Sequence, residues 1–387
     1  MRQVFFTDAN TGYACGGSAT TADSLGEFLK TTDGGSTWKV FYNGFKVAVF
    51  GFCMPEPDIL YVVGKANSIF KSIDSGKTFV KQVSPITTAN YMFNSVAFVN
   101  KDVGYAAGIS GRMIKTIDGG ATWEEITTNF NSLTINKIAL PDDFSTVIIC
   151  GLKAQLSKST DGGATWTSLT PGITTMINTV RFKDTNIGYL GGNSLGMAKT
   201  TDGGATWKPM SLSQSLASNT NILSVGFTDK YVFAGTSNGE ILSSALTDTI
   251  WKVAGRLTTT AIYEIGTFGS TVWAVGAGGV IIKGTEQEDT FAGNNNTNPA
   301  GSFELAQNYP NPFNPSTTIR YSIPSDGKVS LKVYNLLGRE VVTLVNQNKV
   351  RGSYSVQFNA VNMSSGIYFY QLQVNGSIIN KKMTFMK

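Results

Sequence analysis

The nine residues Lys30-Thr-Thr-Asp-Gly-Gly-Ser-Thr-Trp38 decide the fold, because they return down the chain at a nearly fixed interval. Further copies run from Lys71 to Phe79, Lys115 to Trp123, Lys158 to Trp166 and Lys199 to Trp207. Their aspartates, Asp33, Asp74, Asp118, Asp161 and Asp202, are separated by steps of 41, 44, 43 and 41 residues. Two eroded copies continue the series: Ser243 to Trp251 with Leu246 in the aspartate slot, and Lys283 to Phe291 with Glu286 there. An interval in the low forties, with a Gly-rich turn and a closing aromatic in each unit, means a repeat architecture before it means any chemistry.

Working outward from the turn, each unit reads as four short strands. The fifth unit places strand a at 177–182, b at 187–191, c at 196–200 and d at 206–210. Seven such units predict an all-β, seven-bladed β-propeller over residues 1–291. The Asp-Gly-Gly turn joins strands c and d, where glycine adopts positive φ at little cost and Asp hydrogen-bonds its own turn. The Thr two positions before Asp and the Thr before Trp are expected to complete that network. Trp38, Trp123, Trp166 and Trp207 are expected to bury against a neighbouring blade. All nine residues are therefore read as structural. Asp8, Asp102, Asp184 and Asp229 are read as a–b turn residues.

The bulk composition narrows the function. Hydrophobic residues make up 41% and charged residues 15% of the 387, and there are 42 glycines, which fits a turn-rich β protein. Residues 1–291 hold 22 Lys+Arg against 23 Asp+Glu, so electrostatics make no case for nucleic acid; residues 292–387 hold 9 against 3. The cysteines at 15, 53 and 150 form neither a disulfide framework nor a metal cluster. The absence of histidine removes Ser-His-Asp and Cys-His catalysis and His-ligated zinc. No metal or cofactor is expected. No apolar run reaches the length of a transmembrane segment.

Candidate ligand residues come from two places. The d–a and b–c loops should share the rim opposite the Asp-Gly-Gly turns, and they hold Asn43, Asn90, Tyr91, Phe93, Asn129, Phe130, Asn131 and Asn219. Tyr91 and Phe93 are the aromatic candidates. Alignment of strand a gives one column of Phe5, Gly51, Ala97, Ala139, Arg181, Gly226 and Gly266, and another of Gln3, Val49, Ser95, Lys137, Thr179, Ser224 and Glu264. Arg181, Lys137 and Glu264 stand out as charges on the innermost strands, facing the central channel. The acids expected near that rim are Asp23, Glu27, Glu240 and Glu264.

Residues 292–302 are polar and turn-prone and read as a linker. They leave the seventh unit almost without a strand d, and nothing precedes strand a of the first unit to supply one. Together with the lack of a signal-peptide pattern, this predicts further residues upstream of Met1. Residues 303–387 alternate apolar and polar over about seven short strands, among them 316–323, 328–334, 340–345, 354–358, 367–374 and 377–385, which predicts an immunoglobulin-like sandwich.

The Gly-Tyr element followed by Lys-Thr-x-Asp-Gly-Gly-x-Thr-Trp resembles the Asp-box propellers, among them sialidases, glucanases and sortilin-like receptors. It is more similar still to the photosystem II assembly and stability factors. Enzymatic relatives use an arginine triad or two facing carboxylates, whereas residues 1–291 hold only Arg2, Arg112, Arg181 and Arg256. The stretches Leu305 to Ile319, containing Tyr309-Pro310-Asn311-Pro312-Phe313, then Val333 to Val341, Ser365 to Leu372 and Lys381 to Lys387 resemble the C-terminal sorting domain of the type IX secretion system. That resemblance implies export by the type IX machinery and a secreted or cell-surface location. The expectation is a non-catalytic propeller that binds a glycan or protein partner. The alternatives are a secreted glycoside hydrolase and an assembly factor for an envelope complex.

Overall fold

The computed structural model describes residues 1–17, 25–141, 145–256, 258–286, 303–308, 311–323, 325–336, 338–349, 352–361 and 363–386. Two compact units emerge, Met1–Gly293 and Asn294–Lys387. The protein is all-β, and the first unit is propeller-like.

In that unit successive segments form antiparallel sheets, each built from strands that follow one another in sequence. The fifth is representative: Ile177–Phe182, Gly188–Gly192, Met197–Thr200 and Lys208–Pro209. The first strands of the seven sheets are Gln3–Phe6, Val49–Glu56, Phe93–Phe98, Ile135–Ala139, Ile177–Phe182, Ile222–Phe227 and Ile262–Phe268. Each lies against the first strand of the next sheet, and Ile262–Phe268 lies against Gln3–Phe6. The sixth sheet gains a fifth strand, Ser211–Leu212, parallel to Ile250–Arg256. The seventh has three strands among the described residues, and Phe291 and the expected linker lie outside them.

The core follows from this stacking. Second strands such as Gly104–Gly108 and Gly188–Gly192 are buried at every position, because a neighbouring sheet covers each face. Glycine and alanine in these strands leave room for the large side chains opposite. The apolar residues divide into clusters, each between adjacent sheets; Tyr61, Phe93, Ala106 and Trp123 join the second and third. Val4, Phe6 and Ala14 of the first sheet pack with Trp273 and Val275 of the seventh.

The second unit has two sheets over one core. Glu304–Leu305, Ser316–Ile323 and Gly352–Asn359 form one, while Glu340–Lys349, Gly327–Tyr334, Gly366–Val374 and Ser377–Phe385 form the other. Val329, Leu331 and Val333 alternate inward, paired with Val374, Leu372 and Tyr370 on the adjacent strand and sharing a core with Ile319 of the other sheet, as the period of two requires.

Candidate functional site

The recurring Asp turn is a self-contained hydrogen-bond cage. Asp33 Oδ1 accepts the Thr31 hydroxyl at 2.7 Å and the Thr37 N–H at 2.9 Å, and its Oδ2 accepts the Thr37 hydroxyl at 2.6 Å. The same pattern surrounds Asp74, Asp118, Asp161 and Asp202. These bonds, led by the threonine hydroxyl, hold the carboxyls of Asp33, Asp74, Asp118 and Asp202 down to about 2 and lower that of Asp161 as well. Both glycine positions take positive φ, for example 66° at Gly119 and 80° at Gly120, and in the second copy Ser75 holds the first of them at 61°. A Cβ on Gly120 would also stand 3.0 Å from the Tyr61 ring. Both carboxylate oxygens are thus engaged inside the turn.

The turn also receives its neighbour. The Gly119 carbonyl accepts from Tyr61 Oη and Lys71 Nζ of the preceding sheet, at 2.5 and 2.6 Å. Tyr105 and Lys115 do the same to Gly162, at 3.0 and 2.8 Å. The Gly-Tyr element and the leading Lys of the motif are thus inter-sheet clamps. Between the seventh and first sheets Trp273 takes the tyrosine's place: its Nε1–H donates to the Gly34 carbonyl at 3.1 Å, and its ring stacks on Phe6 with centroids 3.4 Å apart. The c–d turns are tied to the a–b turns on the same rim, as in Gly119 N–H to Asp102 O at 2.8 Å.

The a–b turns are held as expected by Asp8 and Asp184, each accepting two backbone N–H bonds. In the third unit Asn100 does this instead, while Asp102, two residues on, pairs with Lys101 at 2.8 Å. The strand-a alignment also needs one correction. Pairing sets Gly51 opposite Val63 and Cys53 opposite Tyr61, so these two residues, and not Val49 and Gly51, belong to the columns of Gln3 and Phe5. Alternation of apolar residues is unchanged by a slip of two, which is why the sequence pattern missed it.

Tyr91 and Phe93 do not face a ligand. They are 1% and 0% exposed, meet edge to face at 4.8 Å, and the Tyr91 hydroxyl donates to Arg112 O at 2.8 Å. Phe130 is equally buried, and Asn43 lies within the strand Lys39–Phe45. Tyr91 and Phe93 join one core cluster between adjacent sheets and Phe130 joins the next. Asp23 lies outside the described residues.

Lys137, Arg181 and Glu264 do meet. Lys137 Nζ stands 3.1 Å from Glu264 Oε2, and Arg181 stands 3.5 Å from its Oε1 while also donating to the Val225 and Ile265 carbonyls. They come from the fourth, fifth and seventh sheets, so they meet only across the axis. On one side of this triad opens a recess of about 540 Å³, which Lys137 and Glu264 line. Arg181 instead lines a cavity of about 360 Å³ with Phe182, Lys183 and Phe268.

The other residues of the larger recess share an origin. In the second to seventh sheets a bulge interrupts strand a, and the unpaired residue is Phe50, Asn94, Asn136, Asn178, Leu223 or Tyr263. Every one of them lines the recess, with Arg2 from the first sheet. A bulge re-aims one side chain out of the alternation, and here six do so toward one point. Asn94, Asn136 and Asn178 donate from Nδ2 to the carbonyls of Ile135, Ile177 and Ile222 in the next sheet, at 3.0, 2.8 and 2.9 Å. The recurrence of Asn at two intervals of 42 residues was the available sequence signal.

In the second unit, Phe313 is 2% exposed and packs on Phe385 at 5.2 Å; its N–H donates to Thr384 O at 3.0 Å. Asn311 Oδ1 accepts the Thr384 N–H at 2.8 Å. Pro312 stands between them, and Tyr309 and Pro310 lie outside the described residues. The buried Asn308 donates its N–H to Tyr370 Oη at 2.8 Å and its Nδ2 to Thr317 at 3.0 Å, and its Oδ1 accepts from Gln307 Nε2 at 2.8 Å.

Comparison with known proteins agrees with this geometry. Residues 307–386 match the family described as the secretion system C-terminal sorting domain, and residues 81–172 match the photosynthesis system II assembly factor YCF48. No curated protein matches the chain. A structure of YCF48 bound to D1 peptide superposes with a TM-score of 0.53 at 14% identity, covering 81% of this chain and 92% of that one. PorZ, an essential bacterial surface component of the type-IX secretion system of Porphyromonas gingivalis, gives 0.58 at 12% identity. It covers 100% of this chain and 59% of its own, so this chain spans about three fifths of that protein's length. U3-55K gives 0.53 at 10% identity, over 64% of this chain and 80% of its own. At these identities the superpositions show the fold alone: an all-β, propeller-like protein. Its C-terminal unit carries a type IX sorting domain, which marks the chain as secreted.

Proposed function

We propose that residues 1–291 form a seven-bladed propeller that binds a protein partner at the axial recess and performs no chemistry there. Residues 303–387 are then an immunoglobulin-like sandwich, joined by the linker 292–302, that engages the type IX machinery and holds the propeller at the outer cell surface. The observation that carries the binding reading is the convergence of six bulge residues and Arg2 on one recess. A bulge interrupts its ladder, and a repeated interruption aimed at one cavity is the pattern of a binding surface. A protein partner is favoured over a glycan because a similarly folded protein, YCF48, has been captured with a peptide.

Hydrolysis is disfavoured by the state of the acids. Glu264, the one acid lining the recess among the described residues, is held by two cations. Glu240 is engaged by Thr236 and lies 3.7 Å from Arg256. Among the described residues no second carboxylate lines the recess beside Glu264, and glycoside hydrolysis needs two.

The test is site-directed photo-crosslinking on intact producing cells. A photoreactive residue replacing Asn94 or Asn136 should capture a discrete protein, and one replacing Ile73, exposed on the Asp-turn rim, should not. Equal capture from Ile73, or reproducible turnover of a polysaccharide or sialoside by the purified chain, refutes the proposal.

A further inference from the structure

The chemistry of the recess names a ligand group, and the inference rests on the binding reading above. Among the described residues, Arg2, Lys65 and Lys137 line it together with one acid, Glu264. The Glu264 side chain is only 10% exposed and its charge is already shared between Lys137 and Arg181. A walled recess with excess positive charge concentrates anions.

Two of these cations are positioned for use. The Arg2 guanidinium stands 4.2 Å from the centroid of Tyr263 and 5.7 Å from that of Phe50. Stacking orders the planar fork while leaving its N–H edge for hydrogen bonding. Among the described residues no carboxylate pairs with Arg2. Lys137 gives Glu264 one bond, and an ammonium has three donors.

The remaining lining selects among anions. Phe50 and Leu223 suit an organic body, and Glu264 opposes a second negative charge, so a monoanion is preferred to a phosphate dianion. The amides of Asn94, Asn136 and Asn178 are pinned through Nδ2, which leaves each with an acceptor oxygen suited to a backbone N–H. We propose that the axial recess binds a peptide through one carboxylate that draws on the Arg2 and Lys137 charges, with an apolar neighbour against Phe50 and Leu223.

The probe is a pool of random N-acetylated hexapeptides, made once as free acids and once as C-terminal amides, selected on the immobilised full chain. A C-terminal carboxylate as the source gives roughly tenfold preference for the acid pool, a loss of about one charge-assisted pair. A side-chain source enriches Asp or Glu within the amide pool. Either result supports the proposal if Arg2→Gln and Lys137→Met abolish the preference and Lys137→Arg retains it. The variants must melt with wild type; Arg2→Gln breaks no ion pair among the described residues, which keeps the test valid should Lys137→Met unfold the chain. Equal binding of acid and amide peptides with no acidic enrichment overturns the carboxylate and leaves peptide binding standing. Binding of sialyllactose or oligogalacturonate with no peptide selected overturns both.

Discussion

Replacing Trp273 with Phe tests whether the contact between the seventh and first sheets is a latch made by one indole. Trp273 is fully buried, stacks on Phe6 and donates to the Gly34 carbonyl at 3.1 Å. Phenylalanine keeps an aromatic ring in place and removes the N–H. Leaving the buried acceptor unpaired costs about 1–3 kcal/mol, and the void left by the smaller ring adds about 1–2 kcal/mol. The expected loss is therefore about 2–5 kcal/mol. Trp123→Phe is the matched control. Trp123 is 6% exposed and packs edge-on to Phe98 at 5.9 Å, and its Nε1 has no hydrogen-bond partner. It opens a similar void and breaks no bond, so about 1–2 kcal/mol is expected. The assay is urea unfolding of the full chain followed by far-UV circular dichroism, since either variant alters the fluorescence itself. With unchanged m-values the midpoints convert directly to stability differences. A loss at Trp273 equal to or smaller than that at Trp123 refutes the latch.

Acid stability should track the Asp turns. The carboxyls of Asp33, Asp74, Asp118 and Asp202 lie lower in the fold, at about 2, than the ordinary 3.8. Their contribution is complete above 3.8 and is lost as pH falls through about 2. Replacing Thr37, Thr78, Thr122 and Thr206 with Val should move the acid transition to higher pH, and an unmoved transition in circular dichroism counts against the cage. Burial pushes the Cys15 and Cys150 thiols up to about 12, so neither should react with Ellman's reagent at pH 8 until urea unfolds the chain. Phe313→Ala should destabilise the second unit by about 3–5 kcal/mol and reduce export; normal thermal unfolding of that unit would show that its contact with Phe385 is dispensable.

Much of the first unit was legible because its determinants are local. The Asp-Gly-Gly turn, its two flanking hydroxyls and its aromatic all lie within nine residues, and the strands between turns are too short to adopt other pairings. The fifth unit's strands fall within two residues of their expected ends for the same reason. Tyr91 and Phe93 were misjudged as surface because Phe93 opens the strand Phe93–Phe98 and Tyr91 packs against it, and a segment's position in sequence says nothing of whether its side chains point outward. In the second unit, strict alternation set Ser316–Ile323 and Ser377–Phe385 at their observed bounds.

The sequence by itself determined a repeated four-strand unit, the work of its Asp turn and a sorting domain at the end of the chain. The first two depend on hydrogen bonds and alternation within a few residues, whereas the sorting domain is read from the family resemblance of Leu305 to Ile319 and the stretches after it. Only the tertiary structure decided the recess. Lys137 and Glu264 are 127 residues apart and meet because the fold brings the first strands of the fourth and seventh sheets close enough for a bond of 3.1 Å. The bulge residues reach the same point because each is the one residue its ladder leaves unpaired, and unpairing is a property of two strands together.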